Sequence, residues 1–498
     1  MAKPPPDSVL TSAIGAASDA EYVSARAMTT HTGHLALHDG ALESSGESVD
    51  TGIAVRVLVD GCWGFAASDV CTREEAVRLA QTATALARLS APLVKTRVEL
   101  ADEPVHRGGW VAPLEIDPFA VPEAERLALM ADRSRRLMGA PQISHVDARL
   151  AMVREEVTYA DNLGSQFSQS RHRIEAEWSA TAIDEHTGTF DSMSTTAPPV
   201  ARGWEYVLGQ GATSGGARPW DWEAELDELP ELLAEKLRAP SVDPGRLTLV
   251  LDPTNLWLTI HESVGHATEL DRALGYEANY AGTSFATPEH LGSLRYGSDL
   301  MHVTGDRTAD FGLATVGWDD EAVAAQQWDL VRDGTLVGYQ LDRAMAAELG
   351  VPRSNGCSYA DSAGHVPIQR MPNVSLQPAP EGPDVSALIA GVEDGLYIVG
   401  DRSWSIDMQR YNFQFTGQRF HRIKNGRLQG QVRDVAYQSR TPDFWGSLVA
   451  LGGPQTYLLG GALNCGKGQP GQVAAVSHGC PAAVFENVNV LNTRQEAM

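Results

Sequence analysis

Leu256 to Asp271 read LWLTIHESVGHATELD, and the fold reading turns on this stretch. It opens with apolar residues at helical density and then places His261, Glu262 and His266 within six residues. On a straight α-helix each residue advances roughly 100°, so a residue five positions on lies about 140° away from the first. Imidazoles at i and i+5 then diverge. A local π-turn, bonded from i to i+5, brings them back onto one face. Gly265, directly before the second histidine, lowers the cost of such a distortion. The spacing predicts a bulged or broken helix over 258–270.

That helix sits in a half of the chain that otherwise reads as strand. Short apolar runs alternate there with turns such as Asp333-Gly334, Glu393-Asp394-Gly395 and Lys424-Asn425-Gly426, leaving room for one or two helices. Upstream, Ala239-Pro240-Ser241 and Asp243-Pro244-Gly245 break the pattern and mark a domain boundary. The first half mixes element types. Ile53–Val59 and CWGFAAS flank Asp60-Gly61 as a β-hairpin. Glu74–Leu89 reads as a helix capped by Thr72, with Glu75 completing a capping box. Pro122–Met138 and Trp222–Leu237 read as further helices, and His145–Ala182 as long antiparallel strands around Asp161–Gly164. The expected class is α+β. Residues 1–240 form an N-terminal α/β domain with a mixed or antiparallel sheet and flanking helices. Residues 241–498 form a mostly β domain carrying the bulged helix.

Composition narrows the partners. Across 498 residues, 39 basic side chains face 64 acidic ones, a formal charge of −25. Such a surface repels phosphate backbones and anionic lipid, which argues against nucleic acid and membrane as the main partner. The longest uncharged stretch, Gly446 to Asn464, is broken by glycine, Pro454 and Gln455 and reads as buried strands rather than a membrane helix. The N-terminus, MAKPPPDSVL, has no apolar core of a secretory signal, and five cysteines make no disulfide framework. The expected compartment is a reducing cytoplasm.

The chemistry lies in His261, Glu262 and His266. H-E-x-x-x-H is one residue longer than the H-E-x-x-H of zinc proteases. Neutral imidazole suits zinc, and a catalytic zinc takes three protein ligands plus water. The ion lowers the water's pKa to about 7, and Glu262 can accept the proton and pass it to a leaving amine. Local spacing leaves the third ligand open. Glu269, about one turn after His266, can ligate or accept a hydrogen bond from an imidazole N–H. Asp271, His290, His302, Asp319-Asp320-Glu321 and the distant Cys465 are further candidates. Cys465 stands in Leu463–Gln469 (LNCGKGQ), where glycine lets the backbone approach closely and Lys467 favours the thiolate. Cys357 and Cys480 read as inert buried thiols.

Taken together, these segments resemble the TldD/PmbA family of metallopeptidases, and more closely its HExxxH-bearing TldD branch. Asp319-Asp320-Glu321 followed by Leu330–Tyr339 (LVRDGTLVGY) is similar to the family's acidic triplet and following strand. Arg370-Met371-Pro372-Asn373 is similar to its R-M-x-N segment, Cys465-Gly466-Lys467 to its C-G-K segment, and Gly52–Val57 with Gly64-Phe65-Ala66 to its N-terminal domain. The resemblance implies Zn2+ held by His261, His266 and Cys465, with Glu262 as catalytic base. It implies a homodimer, or a heterodimer with a PmbA-type paralogue lacking the metal motif. It also implies a zinc-dependent peptidase acting on unfolded or small peptides, which enter a closed chamber as an added β-strand. Two other outcomes share these residues: a narrow-specificity metal amidohydrolase in a biosynthetic pathway, or a non-catalytic partner subunit. The chain departs from the family pattern at Ala322, where glycine is usual, at Gly468–Gln472, and at Pro481.

Overall fold

A computed structural model describes residues 7–468 and 470–496 of the chain. The first half is built on one seven-stranded sheet. Its strands are β1 (Tyr22–His38), β2 (Ala41–Val59), β3 (Cys62–Ser68), β4 (Arg107–Val111), β5 (His145–Asp161), β6 (Gln166–Ile183) and β7 (Phe190–Ser194). The order is β3-β2-β1-β5-β6-β4, with β7 also on β6. All pairings are antiparallel except β4 on β6, so the sheet is mixed. The β2–β3 turn is Asp60-Gly61, with φ of 48° and 68° at its two residues, as a two-residue hairpin of primed type requires. Thr72 accepts the Glu75 amide at 3.3 Å and starts the helix Arg73–Ser90. The capping box is not completed as expected: the Glu75 carboxylate turns to Arg78 instead, at 2.6 and 2.8 Å.

Strand alternation divides the sheet into two faces. Val23, Ala25 and Ala27 point into a core with the helices Asp7–Ala16 and Arg73–Ser90. Leu150, Met152, Ile174 and Trp178 do the same against Glu123–Met138 and Trp222–Arg238. The intervening positions face the second half of the chain and are strongly charged. Arg26 meets Asp320, Arg56 meets Glu321 at 2.8 Å, and Glu155 is held between Arg171, Arg173 and the Tyr359 hydroxyl. These contacts place the acidic triplet: Asp320 and Glu321 pin the second half to the sheet. Asp319 turns inward and accepts the backbone amides of Glu321, Val323 and Ser358 at 2.8–2.9 Å. Ala322, where the resemblance implies glycine, adopts φ 62°. Its left-handed backbone is held while its methyl clusters with Tyr159 and Phe167.

The second half is mostly β, organised around another seven-stranded sheet in the order 394–406, 245–251, 483–492, 435–440, 412–424, 427–431, with 448–451 also on 483–492 and 394–406 pairing back onto 412–424. Smaller sheets of four, two and two strands surround it. Its helices are more numerous than the one or two expected, yet among the described residues none exceeds eight residues. Asp333-Gly334 and Asn425-Gly426 turn as expected, with positive φ throughout. The predicted turn at Glu393-Asp394-Gly395 ends earlier, because Asp394 and Gly395 already pair with Lys424 and Ile423 as the first residues of a strand. Among the described residues no helix is long and apolar enough to cross a membrane.

Candidate metal centre

The strand Gly245–Leu251 runs into Asp252, whose carboxylate caps the following helix by accepting the Thr254 amide at 3.0 Å. Pro253 occupies the first helical position, where its missing N–H costs nothing. The helix stays regular through Ile260 and then widens into one π-turn, His261–Gly265, closed by the bond from the His266 amide to the His261 carbonyl. A short 3-10 turn, His266–Thr268, follows. The i, i+5 histidines therefore come to one face. Their rings lie 4.7 Å apart between centroids.

Gly265 plays a part other than the expected one. Its backbone is ordinarily helical, at φ −52° and ψ −62°. A Cβ there would stand 2.7 Å from the Met371 sulfur, so the glycine makes room for that side chain rather than for the turn. Gly466, by contrast, has open space where a Cβ would go, so close packing does not explain it.

The residues facing this turn come from far along the chain. Cys465 lies on the strand Leu458–Lys467 and puts its Sγ 3.6 Å from His266 Nε2. One donor atom each from His261, His266 and Cys465 falls within 4.8 Å of the others. Zinc bond lengths of about 2.05 Å to nitrogen and 2.3 Å to sulfur, at tetrahedral angles, put such donors about 3.6 Å apart. The Cys465–His266 separation matches that value, and the donor set suits a tetrahedral zinc ion. The remaining candidates are engaged elsewhere. Asp271 binds Lys467, His302 binds Asp329, Asp320 and Glu321 lock the two halves together, Asp319 accepts backbone amides, and His290 is exposed.

Two partners fix which nitrogen of each imidazole is free. His478 Nδ1 lies 2.9 Å from the Val374 carbonyl, which only accepts, so that nitrogen carries the proton. His478 Nε2 must then accept from His261 Nδ1 at 2.7 Å, which leaves the His261 Nε2 lone pair free. Glu269 does the equivalent for His266, accepting from Nδ1 at 2.8 Å. The carboxylate of Glu269 is held well below its ordinary range, with Lys467, His266 and Arg272 outweighing the effect of burial. Lys467 Nζ reaches Asp271 and the Gln369 amide oxygen at 2.9 Å and Glu269 at 3.2 Å. Lys467 thus organises carboxylates around Glu269. The charge closest in effect to Cys465 belongs to Arg370, which also holds the Cys465 carbonyl at 2.6 Å.

Burial sets the protonation of the cluster. It lowers both imidazoles, His266 to about 3 despite the nearby Glu269, and keeps them neutral. It pushes the Cys465 thiol up to about 11. Glu262 is also raised by burial, against the pull of Arg410 and Arg272. Arg410 donates directly to Glu262 from a residue at φ 62° in the turn joining strands 394–406 and 412–424. His478 and Arg410 escaped the sequence reading, since neither stands at a recognisable spacing from the histidines. The R-M-x-N segment explains itself here: Arg370 binds the Cys465 backbone, Met371 fills the space at Gly265, and the Asn373 carboxamide oxygen accepts the Ala314 and Ser477 amides.

Two imidazoles and a carboxylate from the π-turn, with a thiol from a facing strand, form a buried cluster with the donor types of a metal centre. The sequence profile described as PmbA/TldA metallopeptidase C-terminal domain matches residues 244–492, and that of domain 1 matches 23–87. The chain belongs to the TldD/PmbA family of metallopeptidases. It is similar to a metalloprotease of Methanothermobacter thermautotrophicus, 27% identical and covering 95% of this chain and 96% of that one. It is also similar to a metalloprotease TldD homolog of Haemophilus influenzae, 24% identical over 92% of this chain and 90% of that one. The fold matches the crystal structure of TldE from Thermococcus kodakarensis with a TM-score of 0.68 at 13% identity, covering 96% of this chain and 98% of that chain.

Replacing His478 with alanine removes the acceptor that fixes His261. Metal affinity should fall by about 10–100-fold, the usual effect of losing such an outer partner. A chromophoric chelator competing for the metal would measure it, and an unchanged constant would rule out this role.

Proposed function

We propose that this chain is a zinc-dependent peptidase, with His261, His266 and Cys465 as the metal ligands and Glu262 as the general base. The observation carrying this reading is the convergence of three zinc-suited donor atoms within 4.8 Å, next to a buried carboxylate. Zinc bound there would supply a Lewis acid that polarises the scissile carbonyl and acidifies water. Glu262 takes the proton of the attacking water and delivers it to the leaving amine. Arg410 aims the Glu262 carboxylate and partly offsets the burial that favours its neutral form. The shell around the donors is nearly closed, with His261, Glu262, His266 and Cys465 each only 5–6% exposed. Exclusion of bulk water strengthens those electrostatic effects.

The substrates in this proposal are unfolded or small peptides. The working unit is a homodimer or a heterodimer with a PmbA-type paralogue. Residues 1–240 act as the supporting domain and 241–498 as the catalytic one, in a cytoplasmic setting. A chelator should abolish hydrolysis of unstructured peptides, and zinc alone should restore it. Hydrolysis that persists with the metal demonstrably removed would overturn the proposal. Hydrolysis confined to one small amide would favour the narrow amidohydrolase, and a zinc-free protein active only as a complex member would favour the partner subunit.

A further inference from the structure

A second group of metal-suited side chains lies in the first half, where β1, its turn and β5 meet. The β1–β2 turn is Asp39-Gly40, and its two-residue geometry puts Asp39 at φ 50°. That conformation swings the Asp39 carboxylate over the start of β5. The Asp39 amide donates to the Val146 carbonyl at 2.8 Å, and the Val146 amide returns to Asp39 Oδ1 at 2.9 Å. Oδ1 is thereby occupied and Oδ2 points to two imidazoles. His38 Nε2 lies 3.4 Å from Oδ2 and His145 Nδ1 lies 3.1 Å from it. The rings stack at 5.5 Å with 19° between their planes.

His38 has an outer partner of its own. It stands opposite Asp147 in the β1–β5 ladder, and its Nδ1 meets Asp147 Oδ1 at 2.9 Å. A carboxylate acceptor on Nδ1 leaves Nε2 as the free lone pair and makes the ring more basic, the arrangement of carboxylate–histidine–zinc units. One donor atom each from His38, Asp39 and His145 lies within 4.8 Å of the others. These side chains are about a third to a half exposed, so a cation and its waters can reach them without displacing the core. The chain's charge of −25 raises the local concentration of cations at its surface.

We propose that His38, Asp39 and His145 form a second metal site, for a divalent ion of the zinc, nickel or copper kind, with Asp147 orienting His38. Two imidazoles with one carboxylate select these borderline cations over magnesium and calcium, which prefer all-oxygen shells. The site ties the β1–β2 turn to the first residues of β5 and is separate from the donors on the π-turn.

Calorimetric titration of the metal-free full chain with zinc alone tests this. The intact protein should take up two equivalents, and the His38→Ala, His145→Ala double variant one, with excess magnesium or calcium changing neither count. Circular dichroism checks that the variant is folded, which its exposed substitutions favour. Two equivalents in the variant, or one equivalent in both proteins, would overturn the proposal. A single equivalent that disappears in the variant would leave it standing and remove the catalytic-zinc reading instead. Asp147→Asn should weaken the second equivalent by about tenfold while keeping its stoichiometry.

Discussion

Glu262→Gln is expected to keep the metal content of the protein unchanged and to lower kcat by about 10²–10⁴-fold, the range for losing a general base. The substitution preserves size and keeps an acceptor oxygen for Arg410, so the donors of His261, His266 and Cys465 are undisturbed. Removing the basic carboxylate takes away the group that accepts and returns the proton. Because burial raises the Glu262 pKa above its ordinary value, and the ionised form is the base, the wild-type rate should fall with acidification from above the usual carboxylate range. The variant should lose that acid limb along with most of its rate. Metal analysis beside steady-state kinetics across pH checks both points. A variant retaining wild-type kcat would assign the proton transfer to another group.

Cys465→Ala is expected to lower zinc affinity by more than the 10–100-fold that outer partners cost, because a ligand itself is lost. The protonation states add a second readout. At neutral pH the buried thiol, pushed up to about 11, holds its proton, whereas His266, pushed down to about 3, and His261 hold none on the free nitrogen. Zinc binds thiolate, so the metal-free protein should release one proton per zinc taken up at this site. Affinity should then rise about tenfold per pH unit across the neutral range, and the variant should lose that slope. Titration in buffers of different ionisation enthalpy, with His38 and His145 replaced, counts the protons at this site alone. No proton released, or equal affinity in wild type and variant, would remove Cys465 from the ligand set.

Much of the scaffold could be read before any coordinates. Asp60-Gly61 and Asn425-Gly426 announce tight turns because their backbone conformations are set by residue type. The two long strands His145–Asp161 and Gln166–Ile183 show in the alternation of polar and apolar residues. The first-half polar face was harder to interpret. Arg26, Arg56 and Glu155 look like solvated positions in a half-exposed strand. Yet Arg26 and Arg56 are buried in ion pairs with the second half, whereas Glu155 pairs with Arg171 and Arg173 of the neighbouring strand and accepts the Tyr359 hydroxyl from the second half. Alternation says which residues share a face, not what covers it.

The π-turn illustrates what sequence determines by itself. The angle between residues five apart is fixed by helix geometry, so two histidines at that spacing can share a face only if the helix widens there. The tertiary structure decided which distant group meets them. Cys465 is 199 residues from His266, and His478 is 217 from His261. Local spacing governs side-chain direction over a turn or two of chain. Beyond that, proximity is decided by which strands pair and which apolar faces must be buried together. For the same reason the tautomers of His261 and His266 were legible only after Val374, His478 and Glu269 had been placed around them.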